Sequence, residues 1–294
     1  MKKEKIMRPE LPIFLATPRS RSTALQTLAS PYMETVLGLY SLGHQTEFFK
    51  EYSHRYFSDD VHLDRTNYME YFPLNRENSP ITHHFVYPTI YNNKMQRNAH
   101  KLQVLSQEKK LGRYYNIKIM AEDININEKL DIKFDNSMLD FFFDRTFVIT
   151  RRRDIKGMSL SLLLSLHTNL WHKRDLNKSK YEDLYETPIT INTQLLSSII
   201  PSLKAASMTD QFETHIQRSG YKHHTFYYED MTTLEDMKTA LDTVFGNRDW
   251  RSFASDEFIE NSLPKKLEID YKRVITNIDE IEEGIEYLIE NMFG

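Results

Sequence analysis

An α/β fold with a parallel sheet is what this sequence predicts, on three observations. Four short apolar runs, Leu11–Thr17, Tyr114–Met120, Thr146–Arg151 and Lys222–Tyr228, carry apolar residues on both alternating faces. That is the pattern of strands covered on both sides. Helical periodicity follows at least three of the runs, and strands alternating with helices make parallel crossover units. The chain has 294 residues and no linker composition that would divide it, so residues 1–294 read as a single domain with a substantial core.

Each element has its own justification. The opening, MKKEKIMRPELPIFLA, is basic, but its apolar run extends only from Leu11 to Ala16. That is too short for a leader core or a membrane span. The first strand ends at Thr17-Pro18 and is followed by Arg19-Ser20-Arg21-Ser22-Thr23. A helix is predicted over Ser22–Ser30, stopped by Pro31, which lacks a backbone donor. Residues 48–112 are rich in Tyr, His, Asn and charge, and read as an insertion over the sheet with one helix, Lys94–Lys110. The third strand runs out into Arg151-Arg152-Arg153, and Asp154 is placed to cap a helix over Ile155–Trp171. Ile155, Met158, Leu162 and Leu166 form its stripe, and the apolar stretch Met158–His167, bounded by polar residues, reads as a buried helix rather than a span. After the fourth strand, Leu234, Met237, Leu241 and Val244 are in phase over Leu234–Phe245. Thr232 and Glu235 read as its capping box and Gly246 as its terminator.

Composition narrows the function. The 38 basic and 42 acidic residues leave a net charge of −4, which argues against a general nucleic-acid binder. With no cysteine, disulfides, thiolate metal sites and cysteine nucleophiles are excluded, and a cytoplasmic protein is expected. The pairs His83-His84 and His223-His224 lack H-E-x-x-H spacing, so no metal is expected.

Two stretches carry chemistry. Ligands of open parallel sheets sit beyond the carboxyl ends of the strands, where helix N-termini point their free N–H groups. Thr17–Thr23 occupies that place: Arg19 and Arg21 add charge, and Ser20, Ser22 and Thr23 add hydroxyls. The plain alternative is a solvated turn with a Ser/Thr helix cap. A nucleoside triphosphate loop, G-x-x-x-x-G-K-[ST], does not fit, because Arg19–Thr23 holds neither glycine nor lysine. The second stretch is FVITRRRDIKGMSLSLL, in which eight residues separate Arg153 from Ser161. From a strand end and a helix flank, both could reach one phosphate beside the first loop. Its plain alternative is a basic strand end paired with acids.

TPRSRSTAL resembles the 5′-phosphosulfate loop of sulfotransferases, P-[RK]-S-G-[ST]-T, with Arg21 standing where that family mostly has glycine. Arg153, Asp154 and Ser161 match the family's 3′-phosphate pattern, R-D-x-x-x-x-x-x-S. The bacterial trehalose-type enzymes carry an Arg-Arg-Arg-Asp run followed by Gln-Thr-Gly-x-Trp. Here Arg151 to Asp154 is followed by HTNLWH, where Thr168 and Trp171 fit and His167 and Asn169 depart. FYYEDM, Phe226–Met231, is similar to the family's late Tyr-Glu-Asp.

The resemblance implies a P-loop-like sulfotransferase fold and the donor 3′-phosphoadenosine 5′-phosphosulfate (PAPS), leaving 3′,5′-ADP (PAP). It implies that Arg19 to Thr23 hold the 5′-phosphosulfate, with Arg19 stabilising the leaving phosphate. Arg153 and Ser161 would hold the 3′-phosphate, and Tyr228 the adenine. Glu47, in Glu47-Phe48-Phe49, resembles the family's catalytic glutamate, with His44 as the rival base. The acceptor would be a carbohydrate or small hydroxyl metabolite, its pocket shaped by residues 48–112 and the segment after Trp171. No nucleic acid or membrane partner is expected, and a homodimer is left open. A nucleotide-dependent kinase and a non-catalytic nucleotide-binding module are the alternatives.

Overall fold

The computed structural model describes residues 11–40, 94–124, 136–168, 182–253 and 269–293. Four strands, β1 (Pro12–Ala16), β2 (Lys118–Met120), β3 (Thr146–Arg151) and β4 (His223–Tyr227), form one sheet in the order β2-β1-β3-β4. Every pairing is parallel. The fold is therefore α/β with an all-parallel sheet flanked by helices.

Strand alternation sets the layers. β1 and β3 pair Phe14 with Val148, and on either side of that pair Ile13 with Phe147 and Leu15 with Ile149. Because successive side chains point to opposite faces, the first pair faces one layer and the other two face the opposite one. Phe14 and Val148 pack with Leu25, Leu28 and Met33 of α1 (Ser22–Thr35) and with Met237 and Leu241 of α7 (Leu234–Phe245). On the other face Ile13, Leu15, Phe147 and Ile149 meet Leu105 of α2 (Lys94–Lys110), Leu139 of α4 (Asn136–Phe141) and Met208 and Phe212 of α6 (Leu196–Arg218). A short α3 (Ala121–Ile124) follows β2 directly. The helix expected at Lys94–Lys110 thus contributes Leu105 to the core itself.

A third apolar cluster stands beside the sheet. It joins α5 (Ile155–Thr168) and α6 to α8 (Tyr271–Val274) and α9 (Ile278–Phe293) through Leu163, Leu203, Val274, Ile281 and Ile285. At the amino ends of the strands, buried Arg145 donates to the carbonyls of Leu11, Pro12 and Tyr115. Among the described residues no helix is long and apolar enough to cross a membrane.

Three local expectations are corrected. α1 does not stop before Pro31 but continues to Thr35. Tyr32 and Met33, both buried and with Tyr32 edge-on to Phe245 at 4.8 Å, outweigh the hydrogen bond that proline deletes. β2 is shorter than Tyr114–Met120, because Tyr40 pairs with the start of that run: Tyr40 N–H donates to Tyr114, and Asn116 N–H donates to Tyr40. The cap of α7 lies one residue later than expected. Asp236 N–H donates to the Thr233 hydroxyl at 3.1 Å, and Thr233 N–H donates to the Asp236 carboxylate at 2.8 Å. Glu235 pairs with Arg251 instead. Gly246 ends the helix at φ 67°, in the left-handed region glycine favours. Thr233→Ala is expected to cost about 1 kcal/mol, a melting shift of roughly 2 °C for a chain this long. Thr232→Ala is expected to change it far less, and calorimetric melts of the two variants check the register.

Candidate functional site

Strand order places the site. β2 lies on one side of β1 and β3 on the other, so the chain leaves the carboxyl ends of β1 and β3 in diverging directions. Such a switch point opens the crevice in which α/β sheets bind ligands. The loop after β1, Thr17–Arg21, and the loop after β3, Arg152–Asp154, flank it.

The first loop is latched to β3. Thr17 N–H donates to the Thr150 carbonyl at 3.1 Å, and the Thr17 hydroxyl meets the same oxygen at 3.3 Å. The buried Ser20 hydroxyl donates to the Thr17 carbonyl at 2.7 Å and lies 2.9 Å from the Thr150 hydroxyl. Ser20 is thereby a fastening of the loop. Arg19 and Arg21 stand at φ 58° and 63°, angles that a non-glycine residue adopts at a cost. Alternation of this kind turns successive N–H groups toward one concavity. Arg21 precedes α1 without capping it by its side chain, so α1 presents its first-turn donors toward the crevice.

Side chains from distant segments converge here. Arg19 Nε donates to the Ser161 hydroxyl at 2.8 Å across 142 residues of sequence. Burial raises the pKa of the Tyr271 phenol of α8 against the opposing pull of Ser161, Arg152 and Arg19. The Tyr228 ring lies under two guanidiniums, Arg21 at 4.5 Å and Arg152 at 4.4 Å. Arg21 further donates to the Met231 carbonyl. Thr23 accepts from Lys118, a buried lysine of β2, at 2.8 Å, and Ser22 is buried in the first turn of α1.

Arg153 is placed differently. Its guanidinium forms two bonds of 2.7 Å to Asp230 and lies 3.9 Å from the centre of the Tyr227 ring. The pair holds the Arg153 pKa up and the Asp230 carboxyl below its usual range, each chiefly through their shared hydrogen bond. The backbone N–H groups of Arg153 and Asp154 both donate to Glu229. Arg151 pairs with Asp210 and Glu213 of α6. Asp154 caps α5 as expected, accepting from Gly157 N–H at 2.8 Å. A cavity of about 300 Å³ opens at the strand ends, lined among others by Thr17, Arg151, Arg152, Arg153, Asp210 and Tyr227. Its size is at the lower end for small-molecule sites.

The structure thus brings Arg19, Arg21, Ser161 and Tyr228 into one cluster, with Ser22 and Thr23 beside it in the first turn of α1. It gives Ser20 to the loop's own fastening and Arg153 to two acids. Glu47, His44, Asn169 and Trp171 lie outside the described residues. Lys118, Arg152 and Tyr271 were not singled out by the sequence. A lysine inside a strand run apolar on both faces is itself a signal, since a buried ammonium requires a partner. Tyr271 carries no such local signal.

No family model matches the chain, and neither the curated proteins nor the solved structures compared with it give a match. Among the described residues no group of His, Asp and Glu is placed to hold a metal ion.

Proposed function

We propose that the chain is a PAPS-dependent sulfotransferase acting on a hydroxyl of a carbohydrate or small metabolite, with a P-loop-like sulfotransferase fold, in the cytoplasm. One observation carries the reading: Arg19 of the first motif bonds Ser161 of the second at the switch point of the sheet. That contact supports reading the two stretches, each resembling a phosphate site, as parts of one site.

The residues present suit a nucleotide with separate phosphate groups. The α1 N-terminus, Arg19 and Arg21 offer donors and charge, and Ser161 adds a hydroxyl where Arg19 meets it. When bound, the nucleotide would supply an activated sulfuryl group. Arg19 and the loop N–H groups would hold the phosphate oxygen that receives the electron pair as its bond to sulfur breaks. Lys118, held against Thr23, adds positive charge beneath the same helix turn. Glu47 would take the acceptor's hydroxyl proton as that oxygen attacks sulfur in line. Tyr228, whose ring Arg21 and Arg152 approach at 4.5 and 4.4 Å, would border the adenine.

Thermal melts test the class of nucleotide. PAP is expected to raise the melting temperature, adding roughly 2.7 kcal/mol at a hundred times its dissociation constant. ATP with magnesium and 5′-ADP are expected to add far less. Equal shifts with ATP and magnesium would favour a kinase. A PAP shift without turnover on any acceptor in a sugar and metabolite library would leave a binding module.

A further inference from the structure

The two edges of the sheet differ. β2 is a buried strand of three residues, and the run that leads into it is bridged by Tyr40. β4 has five residues, His223–Tyr227, each only partly buried, and among the described residues no strand lies beyond it. Pairing with β3 fixes which backbone groups of β4 face outward. Phe147 N–H donates to the Lys222 carbonyl, and Phe147 stands in register with His223. Backbone groups of alternate residues point to the same side of a strand. Those of His224 and Phe226 therefore turn toward β3, and those of His223, Thr225 and Tyr227 turn outward. The Tyr227 carbonyl opens the turn Tyr228–Asp230. That leaves the N–H groups of all three residues, and the carbonyls of His223 and Thr225, without a partner among the described residues. Such an edge is a template for another strand, and proteins commonly blunt it with proline, lysine or a bulge. The run HHTFY holds no proline, no lysine and no glycine.

We propose that β4 is a dimer edge, pairing antiparallel with β4 of a second copy of this chain across a two-fold axis at Thr225. A two-fold that joins two edges keeps each face of the sheet on its own side, so its axis passes through a residue. Of the five residues, only Thr225 as that centre lets all of them pair. Thr225 N–H then donates to the partner's Thr225 carbonyl, and Tyr227 N–H donates to the partner's His223 carbonyl. Both bonds recur by symmetry. The side chains match in the same register. His224 comes opposite the partner's Phe226, a pair of ring types already stacked within the strand at 6.3 Å and 26°. His223 comes opposite the partner's Tyr227. Each imidazole thus meets an aromatic ring and neither meets its own copy, whereas an axis at His224 would oppose two imidazoles. Charge agrees with the direction. Lys222 precedes the strand, and Glu229 and Asp230 follow it closely. Antiparallel pairing brings these opposite ends together. The carboxyl ends of the two strands point opposite ways, so the two crevices open at opposite ends of one continuous sheet. Nothing in this pairing depends on what the crevice binds.

Sedimentation velocity of the wild type over a rising concentration series should show a species of twice the 35.0 kDa chain mass. Thr225→Pro removes an outward N–H and no bond to β3, a place where edge strands accept proline. It should weaken the dimer roughly ten- to a hundredfold. Thr225→Val gives up the 2.8 Å bond to Glu213 but keeps that N–H. It should dimerise within about threefold of wild type. Because the chain has no cysteine, mild oxidation of single-cysteine variants reads the register directly. Residues opposed at the axis stand about 5.5 Å apart between Cα atoms, within reach of a disulfide, so Thr225→Cys should cross-link into a covalent dimer. His223→Cys should not, since its own copy stands about 14 Å away along the pair. The cross-link carries the test if Thr225→Pro does not fold. A wild type that stays monomeric throughout overturns the proposal, as does a folded Thr225→Pro that dimerises like wild type. Cross-linking of His223→Cys in place of Thr225→Cys overturns it as well, because the axis would then lie elsewhere.

Discussion

Turnover is expected to fall about a hundred- to a thousandfold in the Arg19→Gly variant, the loss typical of one missing donor at a developing charge, with a melting temperature near that of wild type. Arg19 is held at φ 58°, a conformation costing a non-glycine residue roughly 1–2 kcal/mol that glycine does not incur. Against that relief stands the lost bond to Ser161, about 0.5–1.5 kcal/mol. The two nearly cancel, so stability and chemistry separate in a single variant. Arg19→Ala would blur the result, because alanine keeps the strain. Arg19→Lys should recover part of the rate by restoring charge without the planar fork. Near-normal turnover in Arg19→Gly would remove Arg19 from the leaving phosphate.

Glu47→Gln is expected to lower turnover about a hundredfold to ten-thousandfold, as loss of a general base does, with PAP affinity near wild type. A base would meet the acceptor and not the nucleotide, so binding and chemistry should part company. Beside Phe48 and Phe49 in sequence, a carboxyl shielded from water would hold its proton more tightly and accept one more readily. Steady-state rates with calorimetric PAP affinity for Glu47→Gln and His44→Ala decide the assignment. Normal turnover in the first and loss in the second would make His44 the base.

The strands were legible because apolar runs of that length with two buried faces have few other uses. Pro31 does not end α1 because Tyr32 and Met33 are buried, and that burial appears only once α7 and the segment after it stand against α1. The α7 cap slipped by one because Thr232-Thr233 and Glu235-Asp236 offer two capping pairs in adjacent registers. At the site, the arginines and Ser161 were visible as residue types, but that Arg152 lies against Tyr228 while Arg153 is held by Asp230 depends on the path of the chain past the end of β3 and on the acids at Glu229 and Asp230. Tyr271 comes from 110 residues beyond Ser161 by number, and only the tertiary fold joins them.

The position of Tyr271 has a consequence for synthesis. Ile189 N–H donates to the Val274 carbonyl and Thr276 N–H to Ile189, so α8 is stitched to the segment before α6. Ile281 and Ile285 then bury themselves with Leu163 and Leu203. A ribosome releases both arginine loops and all four strands well before residues 271–285 emerge. Until then the nascent sheet carries exposed apolar surface on α5 and α6, the condition under which partly folded chains associate wrongly. Escape from the aggregation-prone interval would therefore come at the moment the late helices dock.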